Sequence, residues 1–156
     1  MRFLFNDRFL EVELGKRAVA TRSISIGDEF LPEHFTRKPL MPATLVLESV
    51  TQLAGWLYIA TKDFAISTVL ALAQGVEVSG EVQPGSTLRL DATMIYEHRG
   101  GATLRGLATC EQQPVLRVDR LVFASRPLSV PDDIQRARDM FDYISGGYRL
   151  HEGPSR

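Results

Sequence analysis

Residues 43–61, ATLVLESVTQLAGWLYIAT, run for nineteen positions with a single charge, Glu48. The run is too long for an ordinary strand, and Pro42 stands where a proline is best tolerated, at the start of a helix. A helix that is apolar nearly all round must be covered on most of its sides. At about 1.5 Å per residue it nearly reaches across a bilayer. Glu48, Gln52 and several hydroxyl residues within it argue against that solution. The rest of the chain is therefore expected to wrap a buried central helix.

The flanking sequence offers strands for that purpose. Residues 9–26 read as two strands around a turn at Gly15-Lys16, with Phe9, Val12 and Leu14 before the turn and Ala18, Ala20, Ser23 and Ile24 after it. Residues 27–42 contain Gly27, Pro32, Pro39 and Pro42 and read as loop. From 67 to 125 the pattern is four strands, broken by turn signals at Pro84-Gly85, Gly100-Gly101 and Gln112 to Pro114. In one of them Leu88, Leu90, Ala92, Met94 and Tyr96 alternate with polar residues, as in a half-buried antiparallel strand. Residues 129–147 read as a capped amphipathic helix, with Ser129 or Asp132 at its start, Ile134, Ala137, Phe141 and Ile144 on one stripe, and Gly146 as the stop. That stripe predicts docking, since a free helix of this length is marginal in water. The expected class is α+β: an antiparallel sheet wrapped around one long central helix, with an extra C-terminal helix. A chain of 156 residues makes one domain, read as a body over 1–128 and a helical extension and tail over 129–156.

Several function classes lose support on composition. A net charge of −1 gives no electrostatic reason to bind nucleic acid or an anionic membrane surface. Cys110 is alone, which fits a reducing compartment, and the scattered His34, His98 and His151 suggest no metal site. The N-terminal MRFLFNDRFLEVEL interrupts its apolar residues with charge too early for a signal peptide, so a cytoplasmic location is expected. No cofactor motif is present.

One motif carries chemistry. His34, Phe35, Pro39, Met41, Pro42, Leu45, Glu48 and Gln52 follow one another at a spacing that, together with the order of elements, resembles the hot-dog fold dehydratases acting on 3-hydroxyacyl-acyl-carrier-protein (the FabZ type). That family's motif is His-Phe-Pro-Gly-x-Pro-x-Met-Pro-Gly-x-Leu-x-x-Glu, with a Gln four residues beyond. The likeness covers roughly residues 4 to 124. Thr36-Arg37 stand where the family has Pro-Gly, and Ala43 stands where it has a second Gly.

The resemblance implies the hot-dog fold and loss of water from a 3-hydroxyacyl thioester to give a trans-2-enoyl thioester. Such an elimination needs a base for the C2 proton, an acid for the C3 hydroxyl, and donors for the charge that grows on the thioester oxygen. His34 is suited to the first role, with an unperturbed pKa of about 6.5. Glu48 is suited to the second, because apolar surroundings disfavour a charged carboxylate. Backbone N–H groups of Ala43 and Thr44 would head the central helix at the positive end of its dipole and bind the oxygen. Gln52, one turn beyond Glu48, would orient the carboxyl or a water. Trp56, Leu57 and Ile59 are assigned to the core. The resemblance also implies an acyl carrier protein as partner and a homodimer or larger assembly, such as a trimer of dimers, with His34 and Glu48 of each site from different subunits. A hot-dog thioesterase and a non-catalytic acyl-binding or partner subunit are the alternatives.

Overall fold

The computed structural model describes residues 4–32, 37–148 and 150. Its elements follow the expected order: β1 (Arg8–Glu13), β2 (Arg17–Ser23), α1 (Ala43–Thr61), β3 (Ile66–Val78), β4 (Thr87–His98), β5 (Gly101–Cys110), β6 (Gln113–Pro127) and α2 (Pro131–Ile144). All six strands form one antiparallel sheet in the order β1-β2-β4-β5-β6-β3. The sheet curls round α1, which packs against β2, β3, β4, β5 and β6.

Helix α1 buries Val46, Val50, Leu53, Ala54 and Leu57 against Ala18, Ala20, Leu88, Leu90, Leu104, Val118 and Leu121 of the sheet. Fully burying one such aliphatic side chain contributes about 1.5–3 kcal/mol, so this layer supplies most of the cohesion. Close approach of helix to sheet depends on Gly106, because a Cβ there would lie only 2.0 Å from Val50 Cγ1. Two hydroxyls of the helix are answered within it. Ser49 Oγ donates to Leu45 O at 2.8 Å, and Thr61 Oγ1 donates to Leu57 O at 2.7 Å. More than half of the apolar window of α1 lies inside the protein, as a core helix requires.

β-Bulges set which strand residues face the helix. The register shift between Phe9 and Glu11 puts Phe9 and Val12 on the buried side although they are three positions apart. A second shift, between Met94 and Tyr96, ends the alternation of β4 early. Met94 is half-buried, whereas Tyr96 is exposed and does not continue the inward row read from sequence. The first of the four later strands stops at Val78, short of the turn signal at Pro84-Gly85, and Ser79 and Gly80 N–H then donate to Val115 O at 3.0 and 3.3 Å. Further on, Val82 is buried and its carbonyl accepts Met41 N–H at 2.9 Å. That bond anchors the loop that feeds α1, and so positions the helix N-terminus.

Helix α2 begins differently from the expectation. Its N-cap is Val130, in extended conformation and with no side-chain cap bond, and Pro131 is the first helical residue. Asp132 and Asp133 therefore lie inside the first turn, where their charge favours the helix dipole. The stop falls as expected, with Ser145 as C-cap and Gly146 at φ +67°. The apolar stripe docks on the same protomer. Phe141 sits edge-on to Phe9 and Phe64, at 5.3 and 5.4 Å between ring centroids. Arg138 reaches back to the turn after α1, where its Nη2 bonds Asp63 Oδ1 at 2.7 Å and its guanidinium lies 5.0 Å from the Phe64 ring centroid. That turn holds Asp63 and Phe64 at positive φ (52° and 62°), a region costing an L-residue roughly 1–2 kcal/mol. Burial of Phe64 and the Arg138 pair offset that cost.

Candidate active site

The two ends of α1 are built for different purposes. At the N-terminal end Pro42 is the cap, and the first intrahelical bonds run from Leu45 and Val46 N–H to Pro42 O, at 2.9 and 3.2 Å. The N–H groups of Ala43 and Thr44 precede those bonds, so helix geometry gives them no intrahelical acceptor. Both residues are exposed. No acidic side chain occupies the first turn. These donors lie at the positive end of the helix dipole, a setting that favours an anionic or polarised oxygen.

One turn further on, Glu48 is half-buried. Its Oε1 accepts a hydrogen bond from Gln52 Nε2 at 2.8 Å. Gln52 is itself oriented, because its Oε1 accepts the N–H of Phe5 at 3.0 Å and so turns the amide nitrogen toward the carboxyl. The pair spans one helical turn, as residues four apart must. His34 falls among residues 33–36, outside the described residues. Of the residues read from sequence, the structure thus brings Glu48 and Gln52 into contact and places Ala43 and Thr44 one turn before them.

Glu48 and Gln52 open onto a groove of about 250 Å³. Its helix wall continues through Thr51, Gly55, Trp56 and Ile59, and its sheet wall is Thr68 and Leu70 of β3 with Phe123 of β6. Among the described residues Glu48 is the only ionisable side chain in this lining, which otherwise consists of the Gln52 amide and apolar or hydroxyl-bearing side chains. Thr51 Oγ1 is buried there with no hydrogen-bond partner among the described residues. Trp56 and Ile59, assigned to the core from sequence, are half-buried and belong to this wall, whereas Leu57 is fully buried. The spacing 48, 51, 52, 55, 56, 59 is one stripe of an α-helix, so this half of the lining was present in the sequence as a pattern. Thr68, Leu70 and Phe123 had no such signal. They meet the helix only because β3 pairs with β6, setting Leu70 opposite Phe123.

A larger hollow of about 630 Å³ opens on the outer face of the sheet, between Arg17, Asp91, Arg105, Arg117 and Asp119. Its acids are already engaged: Asp91 pairs with Arg17 at 3.0 Å and Arg89 at 3.2 Å, and Asp119 with Arg117 at 3.6 Å. The smaller groove, with an oriented carboxyl in apolar surroundings, is the better site for acid–base work. Among the described residues no cluster of His, Cys, Asp and Glu is arranged to hold a metal ion.

Comparison with known proteins follows the same lines. A family model described as FabA-like domain matches residues 1–119. The chain is 33% identical over 117 residues to the 3-hydroxyacyl-[acyl-carrier-protein] dehydratase FabZ of Pediococcus pentosaceus, covering 74% of this chain and 78% of that one. It is 36% identical over 102 residues to the FabZ dehydratase of Thiobacillus denitrificans, covering 63% and 70% of the two chains. Among solved structures, smu.793 from Streptococcus mutans, bound to acetyl CoA, superposes with a TM-score of 0.65 at 16% identity, over 81% of this chain and 94% of that one. The last likeness bears on the fold, which is the hot-dog arrangement expected from the motif.

Proposed function

The chain belongs to the FabA-like family and is a 3-hydroxyacyl-acyl-carrier-protein dehydratase of the FabZ type, and we propose that Glu48 and His34 form the acid–base pair of its elimination. The reaction is that of a hydro-lyase in fatty-acid biosynthesis. The observation that carries the assignment of roles is Glu48: one carboxyl in a groove whose other described lining residues are uncharged, oriented by Gln52, which is oriented in turn by the chain backbone.

His34 takes the proton from C2. The electron pair of that C–H bond becomes the C2–C3 double bond as the C3–O bond breaks, and the departing oxygen takes a proton from Glu48 and leaves as water. Gln52 holds one carboxyl oxygen of Glu48, leaving the other for the C3 hydroxyl. Ala43 and Thr44 N–H bind the thioester oxygen, where negative charge grows as C2 loses its proton. The cycle closes when the proton on His34 is returned to Glu48 by way of solvent.

The substrate arrives on an acyl carrier protein, and the enzyme works as a homodimer at least, paired along β3. That strand is an edge of the sheet thirteen residues long, and it exposes Val69, Leu72, Val76 and Val78. An open apolar edge of this length is a template for pairing with another strand. The same strand supplies Thr68 and Leu70 to the groove, so a second copy on that edge would lie beside the site and can complete it with its own residue 34. The deciding experiment is mass spectrometry of a 3-hydroxyacyl carrier protein. The native enzyme should remove one water and Glu48→Gln should remove almost none, while full turnover by the variant would refute the role of Glu48.

A further inference from the structure

We infer that β1 is a second self-association edge of the sheet, fitted to β1 of another copy of this chain, and that residues 144–148 at the end of α2 hold it shut. The sheet ends in β3 on one side and in β1 on the other. An edge strand carries a row of N–H and C=O groups that a further strand can complete. On β1 such groups are already taken by the chain that leaves α2. Phe9 N–H donates to Ser145 O at 3.4 Å, and Val12 N–H donates to Tyr148 Oη at 3.1 Å. Gly146, at φ +67°, turns the backbone past Arg8, whose Cγ would lie 3.6 Å from a Cβ at that glycine. Ile144 and Ser145 are buried at this seam, and Tyr148 packs on the core beyond it. All of these covering residues lie beyond the FabA-like match, which ends at residue 119.

The sequence of β1, RFLEVE, is complementary to itself. Two copies laid antiparallel about the Leu10–Glu11 midpoint set Arg8 opposite Glu13 and Phe9 opposite Val12. Opposite charges and apolar pairs are the cross-strand neighbours that stabilise a ladder. Phe9 and Val12 are also the residues whose N–H groups point away from β2, so in that register each could exchange hydrogen bonds with the other across the new pair. The contact is isologous, with the same strand on both sides. A dimer paired along β3 has one β1 at each end, so uncovered β1 strands would join dimers into an open series. The segment after α2 confines assembly to β3.

The test follows size by sedimentation velocity and residue-resolved hydrogen exchange in the full chain. The native protein should keep one size as it is concentrated. Ile144→Asp, which puts a charge in the buried seam, should grow with concentration in steps of the native particle. Its Phe9 and Val12 amides should stay protected in the larger species, because a second β1 replaces Ser145 and Tyr148 as acceptor. Adding Arg8→Glu should return that variant to native size, and adding Glu13→Arg as well should restore growth. Native size for Ile144→Asp at every concentration overturns the inference. So does growth that is indifferent to Arg8→Glu, or growth in which the Phe9 and Val12 amides exchange freely, since exposed apolar surface then explains it. Should Ile144→Asp fail to fold, Tyr148→Phe decides, because it keeps the ring and removes only the acceptor of Val12. It should speed exchange at Val12 about tenfold in dilute solution and associate on concentration; native size throughout overturns the inference. A monomeric native protein counts against pairing along β3 instead, and the uncovered β1 then gives a dimer and no open series.

Discussion

The two helices of this protein are held by opposite means. Helix α1 is apolar on nearly every side, and ten of its residues are buried under a sheet that curls round it. Helix α2 is charged over most of its surface and is attached by a narrow stripe, of which only Phe141 and Ile144 are buried. The first helix is the core, and its removal would leave no domain. The second is a fitted part, secured by one aromatic cluster and one ion pair at the turn after α1. The comparison teaches that the chemistry and its outer support are owned by different elements: α1 carries the carboxyl, and α2 packs Phe141 against Trp56 of the groove lining.

Changes to the two helices should separate these roles. The largest effect is expected at Glu48. Glu48→Gln should lower kcat by about 10²–10⁴-fold while leaving the thermal midpoint unchanged or raised, because the amide keeps the shape and is cheaper to bury than a carboxylate. A large fall in the midpoint would show instead that the carboxyl is structural. Next comes Leu53→Ala in the buried face of α1, which should cost about 2–5 kcal/mol in denaturant unfolding and be felt by every strand at once. A loss confined to α2 would contradict the central role of this helix.

Hydrogen exchange sharpens the contrast within one experiment. Amides in the middle of α1 should exchange only through global unfolding, and those of α2 through local undocking at a lower free energy. Equal protection of the two helices would show that α2 is as integral as α1. A smaller effect is expected at Gly55, where Ala should stabilise α1 by about 1 kcal/mol through helix propensity. Its methyl group fits at ordinary contact distance from Phe123, yet it narrows the groove. The smallest effect is expected at Arg138. The Arg138–Asp63 pair is largely exposed, so Arg138→Ala should cost no more than about 1 kcal/mol.

Much of this was legible in the chain before any coordinates. The run of residues 43–61 demanded a buried helix, and turn residues divided the following stretch into the strands that cover it. Glu48 and Gln52 announced themselves as the ionisable and amide groups of that helix, four residues apart, and they bond as that spacing predicts. Local pattern was enough in these places because helical and strand periods are set by backbone geometry alone. Where the pattern was read too far, a bulge or a cap was responsible. Tyr96 turned outward at the β4 bulge, and α2 took Val130 as its cap over the polar Ser129, since Pro131 already satisfies the first helical position.

Tertiary structure decided the rest. Trp56 and Ile59 look in sequence like any other core residues, and only the gap between α1 and β3 makes them groove wall. Phe123 joins them from a strand more than sixty residues along the chain, through its pairing opposite Leu70. The contact of Phe141 with Trp56 is likewise invisible to any local rule, because an amphipathic stripe states that a helix must dock and leaves open where. A sequence determines by short-range geometry which faces are apolar and which side chains share them. Which faces meet is settled by long-range packing, where volume and register must be satisfied across the whole sheet at once.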